Sequence, residues 1–328
     1  MSRLSAIYRA NLHKVGVAII DGRAEVEEVH TVRLLADGEK FRARKILIAT
    51  GGAPVLDPVI PGGEFAITSN EIFDLPSLPE RLLIVGAGYI SVEFASIFAR
   101  LGSKVAIATR GENVLRGFDD DMRCCVRDAL HDAGVSLHFS HLPTRIEKTA
   151  DGFRAHLTEG LSLDADQVML ATGRRPSTKG VGLEKAGVQL NGVGAVVVDA
   201  FSKSNVDSIY AVGDVTDRIA LTPIAIREGH AFADTVFGGK PTAVDHVNVA
   251  TAVFTTPEVG TVGLSESEAR AIYDCVDIYE ASFRPLKASL SGRAEKICMK
   301  IVVDAETDIV LGVHIFGEGA AEMAQLLA

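Results

Sequence analysis

The sequence predicts an α/β protein in which one doubly wound domain interrupts another and a mixed α+β region follows. Three observations carry this. A strand, a Gly-rich turn and a helix stand in a row at RLLIV-GAGYISVEFASIFARLG, residues 81–102, with a further strand KVAIATR behind them. Two apolar stretches ending in small residues, KILIATGG at 45–52 and SIYAVGD at 208–214, flank that unit in sequence. From 245 onward the pattern turns strand-rich, with ATAVF, KICMKIVVD and DIVLGVHIF.

Composition bounds the function. A chain of 328 residues allows two domains or somewhat more. With 47 % apolar and 23 % charged residues it can build ordinary buried cores. The formal net charge of −10 disfavours nucleic acid or an anionic membrane as the main partner, because both need a concentrated basic surface. No stretch reaches the ~18 unbroken apolar residues of a membrane span, and the opening SRLSAIYRANLHK is not a charged-then-apolar signal. Cysteines stand at 124, 125, 275 and 298 without a CxxC or His-spaced pattern, so neither a zinc site nor a disulfide scaffold is indicated. Adjacent Cys124 and Cys125 read as small packing residues in a helix. A reduced compartment, the cytoplasm, is the expected location.

The elements follow in order. Leu4, Ile7, Tyr8, Leu12 and Val15 recur at three-to-four spacing, which predicts an amphipathic helix over 2–15 in need of a surface. Strands are expected at 17–20, 31–35 and 45–50. Residues 51–80 hold two Gly-Gly pairs and five of the eleven prolines and read as a connector, within which Thr68-Ser-Asn-Glu71 resembles a capping box. Beyond KVAIATR, Met122, Val126 and Leu130 share one face of a helix over roughly 119–133. VSLHFS, TRIEKTA, FRAHLTE and QVMLATG add strands, with Asp151-Gly152 as a turn signal among them. Helices are expected near 223–237, 265–273 and 319–327. These patterns divide the chain at 1–77, 78–198, 199–243 and 244–328.

The Gly-rich turn carries the clearest chemistry. Gly86 permits the tight turn after the strand, and Gly88 lets backbone amides approach a pyrophosphate with no Cβ in the way. The helix N-terminus adds partial positive charge for the phosphates. Ser91 stands where Gly or Ala is usual. A site for NAD places an acid about 20 residues further on to hold the ribose 2′-hydroxyl. Here KVAIAT runs into Arg110, and Arg116 follows in GENVLRG, with Glu112 between them. Guanidinium groups can grip a 2′-phosphate that a carboxylate would repel. The predicted nucleotide is NADP(H). Asp214, at the carboxyl end of its strand, faces a ligand crevice in such a fold, where it can accept hydrogen bonds from ribose or ribityl hydroxyls or simply cap its loop.

The ordered set ATGG, VGAGYISVE, TRGENVLRGFD, MLATGRRP, IYAVGD, LTP and VGTVGLSE resembles the flavin-dependent pyridine nucleotide disulfide reductases, over essentially the whole chain. RGENVLRGFD and SFRPLKASLSG are similar to the branch that reduces glutathione disulfide. The resemblance implies an NADP(H)-binding domain inserted in an incomplete FAD-binding domain, followed by a truncated α+β interface (dimerisation) domain, in a homodimer. It implies that Gly86, Ala87, Gly88 and Ile90 line the NADPH pyrophosphate and ribose. Gly173 and Arg174 would close that pocket, and Arg110 and Arg116 would bind the 2′-phosphate. Tyr89 matches the aromatic that covers the nicotinamide, and Glu93 a glutamate that pairs with a lysine beside the flavin. Ala24, Thr50, Gly51, Asp214 and Thr222 match FAD-contacting positions.

Several family features do not occur in these 328 residues: a GxGxxG for the ADP half of FAD, a CxxxxC redox disulfide, the lysine partner of Glu93, and a C-terminal His-Pro with its downstream Glu. His314, in VLGVHIFGEG, reads as a packed strand histidine. The other histidines have no spacing that suggests a ligand set or triad, and no metal is expected. The expectation is therefore a chain that holds the hydride-delivery half of the reaction without its thiol half, inactive alone. Alternatives are a non-catalytic NADPH-binding or dimerisation short form, or a sister reductase for trypanothione, dihydrolipoamide or mercuric ion. The two arginines argue against the NAD-dependent dihydrolipoamide type.

Overall fold

The structure, a computed structural model, describes residues 2–56, 59–293 and 295–328. The chain forms two compact units, Met1–Gly52 with Arg175–Val244 and Ala53–Arg174 with Asp245–Ala328. The chain passes between them at 52–53, 174–175 and 244–245. Ile67 bridges to Met169 and the Pro61 carbonyl takes the Ile146 N–H, so the connector belongs to the second unit. Leu183, Val188 and Val196 pack with Ile46, Ile48 and Ile209, so 175–198 belong to the first.

In the first unit, α1 (Ser2–Lys14) forms as its periodicity predicts, but Leu4, Ile7, Tyr8 and Leu12 stay exposed. The strand expected at 17–20 is absent. A small antiparallel sheet follows in the order β1 (Ala24–Glu28), β2 (Thr31–Leu34), β3 (Lys40–Arg42). β4 (Ile46–Ile48) pairs in parallel with β14 (Ile209–Ala211), Ile46 opposite Ile209 and Ile48 opposite Ala211. Both strands run out at one end, onto Thr50-Gly51 and Gly213-Asp214, and α4 (Thr222–Val236) follows the latter. The chain leaves this unit within β5 (Gly52–Pro54) and returns within β13 (Arg174–Pro176).

The second unit opens on the connector, where Glu71 accepts from both the N–H and the hydroxyl of Thr68, at 2.8 and 2.6 Å, ahead of a single 3-10 turn, Ile72–Asp74. Then come β6 (Arg81–Val85), α2 (Tyr89–Arg100), β7 (Lys104–Thr109), α3 (Asp120–Asp132), β8 (Ser136–Phe139) and β12 (Gln167–Leu170). The four strands form a parallel sheet in the order β12-β6-β7-β8. An antiparallel excursion, β9 (Pro143–Thr149), β10 (Gly152–Leu157) and β11 (Ser162–Ala165), precedes β12. β6 is buried almost throughout because helices or this excursion cover both faces, which is why it reads as an unbroken apolar run.

The chain ends in a five-stranded antiparallel sheet. Its elements are β15 (Thr251–Val253), β16 (Glu258–Gly263), α5 (Glu266–Ile272), β17 (Val276–Phe283), α6 (Leu286–Ser291), β18 (Ile297–Asp304), β19 (Val310–Gly317) and α7 (Ala320–Leu327), with strand order β15-β16-β19-β18-β17. β16 escapes a sequence reading because it is built of small residues. A Cβ on Gly260 would lie 2.1 Å from the Ala320 carbonyl oxygen, so the close seat of α7 requires glycine there. Val253, Val259 and Phe316 of this sheet join Val92, Phe98 and Val126 of the parallel domain in one core. Each such side chain contributes roughly 1.5–3 kcal/mol by burial, enough to make the second unit one packed body.

Candidate functional site

The Gly-rich turn and the arginine loop share one cavity of about 380 Å³, within the roughly 300–1,000 Å³ of small-molecule sites. Gly86, Ala87, Gly88, Arg110, Arg116 and Gly173 all line it, together with Thr109, Asn113, Leu142, Ala171 and Thr172. Topology explains the gathering. β7, β6 and β12 run parallel, so the loops after Thr109, Val85 and Leu170 emerge side by side at the carboxyl ends of their strands. The Gly86 N–H donates to Ala108 O at 2.9 Å and the Ala171 N–H to Val85 O at 2.8 Å, which locks the three loops together.

The glycines differ in what they do. Gly86 has φ +122°, and a Cβ there would sit 2.3 Å from the Ala171 carbonyl oxygen, so the turn itself demands glycine. Gly88 has φ −76°, and a Cβ there would meet nothing within 4 Å, so its freedom keeps space open on the cavity side. No side chain caps α2 at Gly88. The positive end of its dipole therefore faces the cavity without a side-chain cap, which suits an anion. Ser91 is fully buried and its hydroxyl has no hydrogen-bond partner among the described residues.

The loop from Arg110 to Phe118 is held from several sides. Val114 and Leu115 are buried, and the Leu115 N–H donates to Ala87 O at 2.8 Å. Arg123 Nε reaches the Val114 carbonyl at 2.8 Å. Arg110 and Arg116 are exposed at the cavity and neither takes an ion pair among the described residues, Glu112 included. Two uncommitted guanidinium groups beside an uncapped helix start suit a phosphorylated dianion.

The other sequence-predicted residues stand elsewhere. Arg174 is exposed at the start of β13 and is not among the lining residues. Tyr89 is exposed at the first position of α2, and Ile90 packs against the core. Glu93 turns to the C-terminal sheet, where it accepts the Phe254 N–H at 2.8 Å, and burial pushes its carboxyl up despite that bond. His314 is buried on β19, bonded to the Thr261 hydroxyl and at 3.0 Å to Leu264 O, and burial holds its pKa below the usual imidazole value. Burial likewise pushes the Cys125 thiol up, an inert packing thiol, and the four cysteines are free. Among the described residues no group of three His, Cys, Asp or Glu side chains is placed to hold a metal ion.

In the first unit Gly51, with φ +69°, and Gly52 lie beside Asp214: a Cβ on Gly52 would be 3.2 Å from Asp214 Oδ2. Thr50 precedes them, and Thr222 opens α4, whose Ala225 would lie 3.2 Å from a Cβ placed on Gly213. Ala24 stands apart, on the separate β1–β3 sheet. Sequence reasoning missed Glu228. It is 1 % exposed, accepts the Gly213 N–H at 2.7 Å and pairs with Arg218 at 2.9 Å, which fixes the turn that presents Asp214. A lone acid in a helix gives no signal of that role.

Known proteins match this arrangement along the chain. The family model described as pyridine nucleotide-disulphide oxidoreductase matches residues 1–229, and that family's dimerisation domain matches 249–328. Glutathione reductase of Burkholderia cepacia is 46 % identical over 328 residues, 100 % of this chain and 72 % of that protein. The chloroplastic/mitochondrial glutathione reductase of Pisum sativum is 44 % identical over 99 % of this chain and 58 % of its own length. Trypanothione reductase of Leishmania donovani is 44 % identical over 94 % and 65 %. Among solved structures, the HOCl-induced flavoprotein disulfide reductase RclA from Escherichia coli superposes with a TM-score of 0.91 at 31 % identity, covering 99 % of this chain and 75 % of that one. With a matching fold, a Gly-rich turn in its strand-to-helix context and relatives along its whole length, the chain belongs to the pyridine nucleotide-disulphide oxidoreductase family.

Proposed function

We propose that the chain serves NADPH-dependent reduction of glutathione disulfide in an FAD-containing homodimer, with the cavity around Gly86–Gly88 as its NADPH site. The observation that carries this is the pair Arg110 and Arg116, without an ion pair among the described residues and hydrogen-bonded through their loop to the Gly-rich turn, in a chain 46 % identical to a glutathione reductase. The fit to NADPH rests on the open space at Gly88 and the uncapped start of α2. Gly86, Ala87, Gly88 and Ile90 would hold the pyrophosphate and ribose, Gly173 and Arg174 the edge of the pocket, and the two arginines the 2′-phosphate. Tyr89, exposed beside the turn, is assigned to cover the nicotinamide.

For FAD, Ala24, Thr50, Gly51, Asp214 and Thr222 are the assigned contacts, and a Cβ on Gly51 would meet nothing within 4 Å, an opening that suits a sugar or ribityl hydroxyl. Bound FAD supplies the acceptor for hydride from the nicotinamide. This chain's residues bind and orient: Glu228 holds the Gly213–Asp214 turn still, and Glu93 ties α2 to the C-terminal sheet. Opening a disulfide needs a low-pKa thiolate pair and a proton donor. The 328 residues contain no CxxxxC pair, and Cys125 is shifted the wrong way for the task. No described helix is long and apolar enough to cross a membrane. The match at 249–328 supports the homodimer.

Calorimetric titration with NADPH and NADH tests the nucleotide assignment: NADPH binds well ahead of NADH, and equal affinities overturn it. The trypanothione reductase relatives, at 44 % identity, support a second reading of the disulfide. Turnover of glutathione disulfide against trypanothione disulfide by the full enzyme separates the two.

A further inference from the structure

We propose that Lys300, on β18 of the C-terminal sheet, is a positioning residue for Arg116 and sets the preference for the 2′-phosphate from outside the nucleotide cavity. The inference rests on the NADPH reading of that cavity. Lys300 is 2 % exposed, and its ammonium is enclosed by three carboxylates: Asp119 at 3.1 Å, Glu266 at 2.6 Å and Asp121.

Asp119 is the important partner because of its place in the chain. It caps α3 by accepting the Asp121 N–H at 3.1 Å, and its second oxygen accepts the Glu266 N–H at 3.1 Å. It lies three residues beyond Arg116. On the other side Leu115 is buried in a left-handed conformation, φ +51°, and tied to Ala87 at 2.8 Å. Arg116, Gly117 and Phe118 therefore span two anchors, one on the Gly-rich turn and one on Lys300. Phe118 folds back with its N–H on Leu115 O at 3.1 Å, so a shift at Asp119 passes directly to the arginine.

Removing the cation leaves three carboxylates facing one another, Asp119 buried and Glu266 and Asp121 partly exposed, and breaking the buried Lys300–Asp119 pair leaves Asp119 as an uncompensated buried charge. Asp119 then withdraws toward water and loosens one end of the arginine loop. The Gly-rich turn keeps its bond from the Gly86 N–H to Ala108 O, and the Ala171 N–H still holds Val85 O just before it, so pyrophosphate binding is spared.

The test is Lys300→Met in the full-length protein, with dissociation constants for NADPH and NADH by calorimetry and a melting temperature. NADPH affinity falls about tenfold, in the range of remote positioning effects, while NADH affinity stays within twofold. Lys300→Arg restores the NADPH to NADH ratio. If Lys300→Met fails to fold, Asp119→Asn, which keeps the cap acceptor and weakens the ion pair, lowers the same ratio. An unchanged ratio in the variant that folds, whatever its melting temperature, overturns the proposal. A wild-type protein that does not prefer NADPH would instead overturn the nucleotide reading itself.

Discussion

The Leu115 N–H donates to the Ala87 carbonyl at 2.8 Å, so the arginine loop and the Gly-rich turn move as one body. A 2′-phosphate and a pyrophosphate bound to these two segments would meet groups already in place, which spares the ordering cost of long side-chain loops. Replacing Arg110 and Arg116 together by Ala is expected to cost roughly 3 kcal/mol of NADPH binding, as loss of charge-assisted bonds does. NADH affinity should change less than twofold. Calorimetry on both nucleotides decides it, and parallel losses would show that the arginines support the loop rather than the phosphate.

The two turn glycines separate folding from binding. Gly86→Ala drives a Cβ to 2.3 Å from a backbone oxygen at φ +122°, so we expect a loss of roughly 2–3 kcal/mol in stability, typical of a strained backbone position. Gly88→Ala has open space and an ordinary φ, so its stability should stay within about 0.5 kcal/mol of wild type. Dinucleotide affinity should nonetheless fall in Gly88→Ala. Denaturant melts beside nucleotide titrations measure both, and a destabilised Gly88→Ala would contradict the geometry.

Glu93 predicts a pH effect whose sign is defined. Burial raises its carboxyl in the folded chain, and the Phe254 N–H offsets this only in part. The folded state therefore favours the protonated form. Its contribution to stability is complete below the unfolded glutamate pKa of about 4.3 and is lost as pH rises through the raised folded value. Glu93→Gln keeps an acceptor for Phe254 and never ionises. The variant should melt close to wild type near pH 4 and above it at pH 8. A difference that is flat across that range would remove the burial argument.

Which parts were legible follows the range of the forces involved. β6, α2 and β7 show in the sequence because an unbroken apolar run, a Gly-rich turn and a three-to-four apolar repeat are local patterns. The helices α3, α4, α5 and α7 were placed within a residue or two for the same reason. β16 was not, since Gly260 answers to the approach of α7, sixty residues away in the chain. The expected strand at 17–20 has β-branched residues and no neighbouring strand to pair with.

From the sequence alone came the nucleotide turn, the two arginines that favour a 2′-phosphate and the acid after β14, because each depends on residue type at short spacing. Only the tertiary structure decided what holds them. Glu228 reaches Gly213 across fifteen positions, Glu93 reaches Phe254 across 161, and Lys300 reaches Asp119 across 181. Buried charges of this kind persist only where folding brings a partner within hydrogen-bond distance. No local pattern records that, since chain separation says nothing about distance in space.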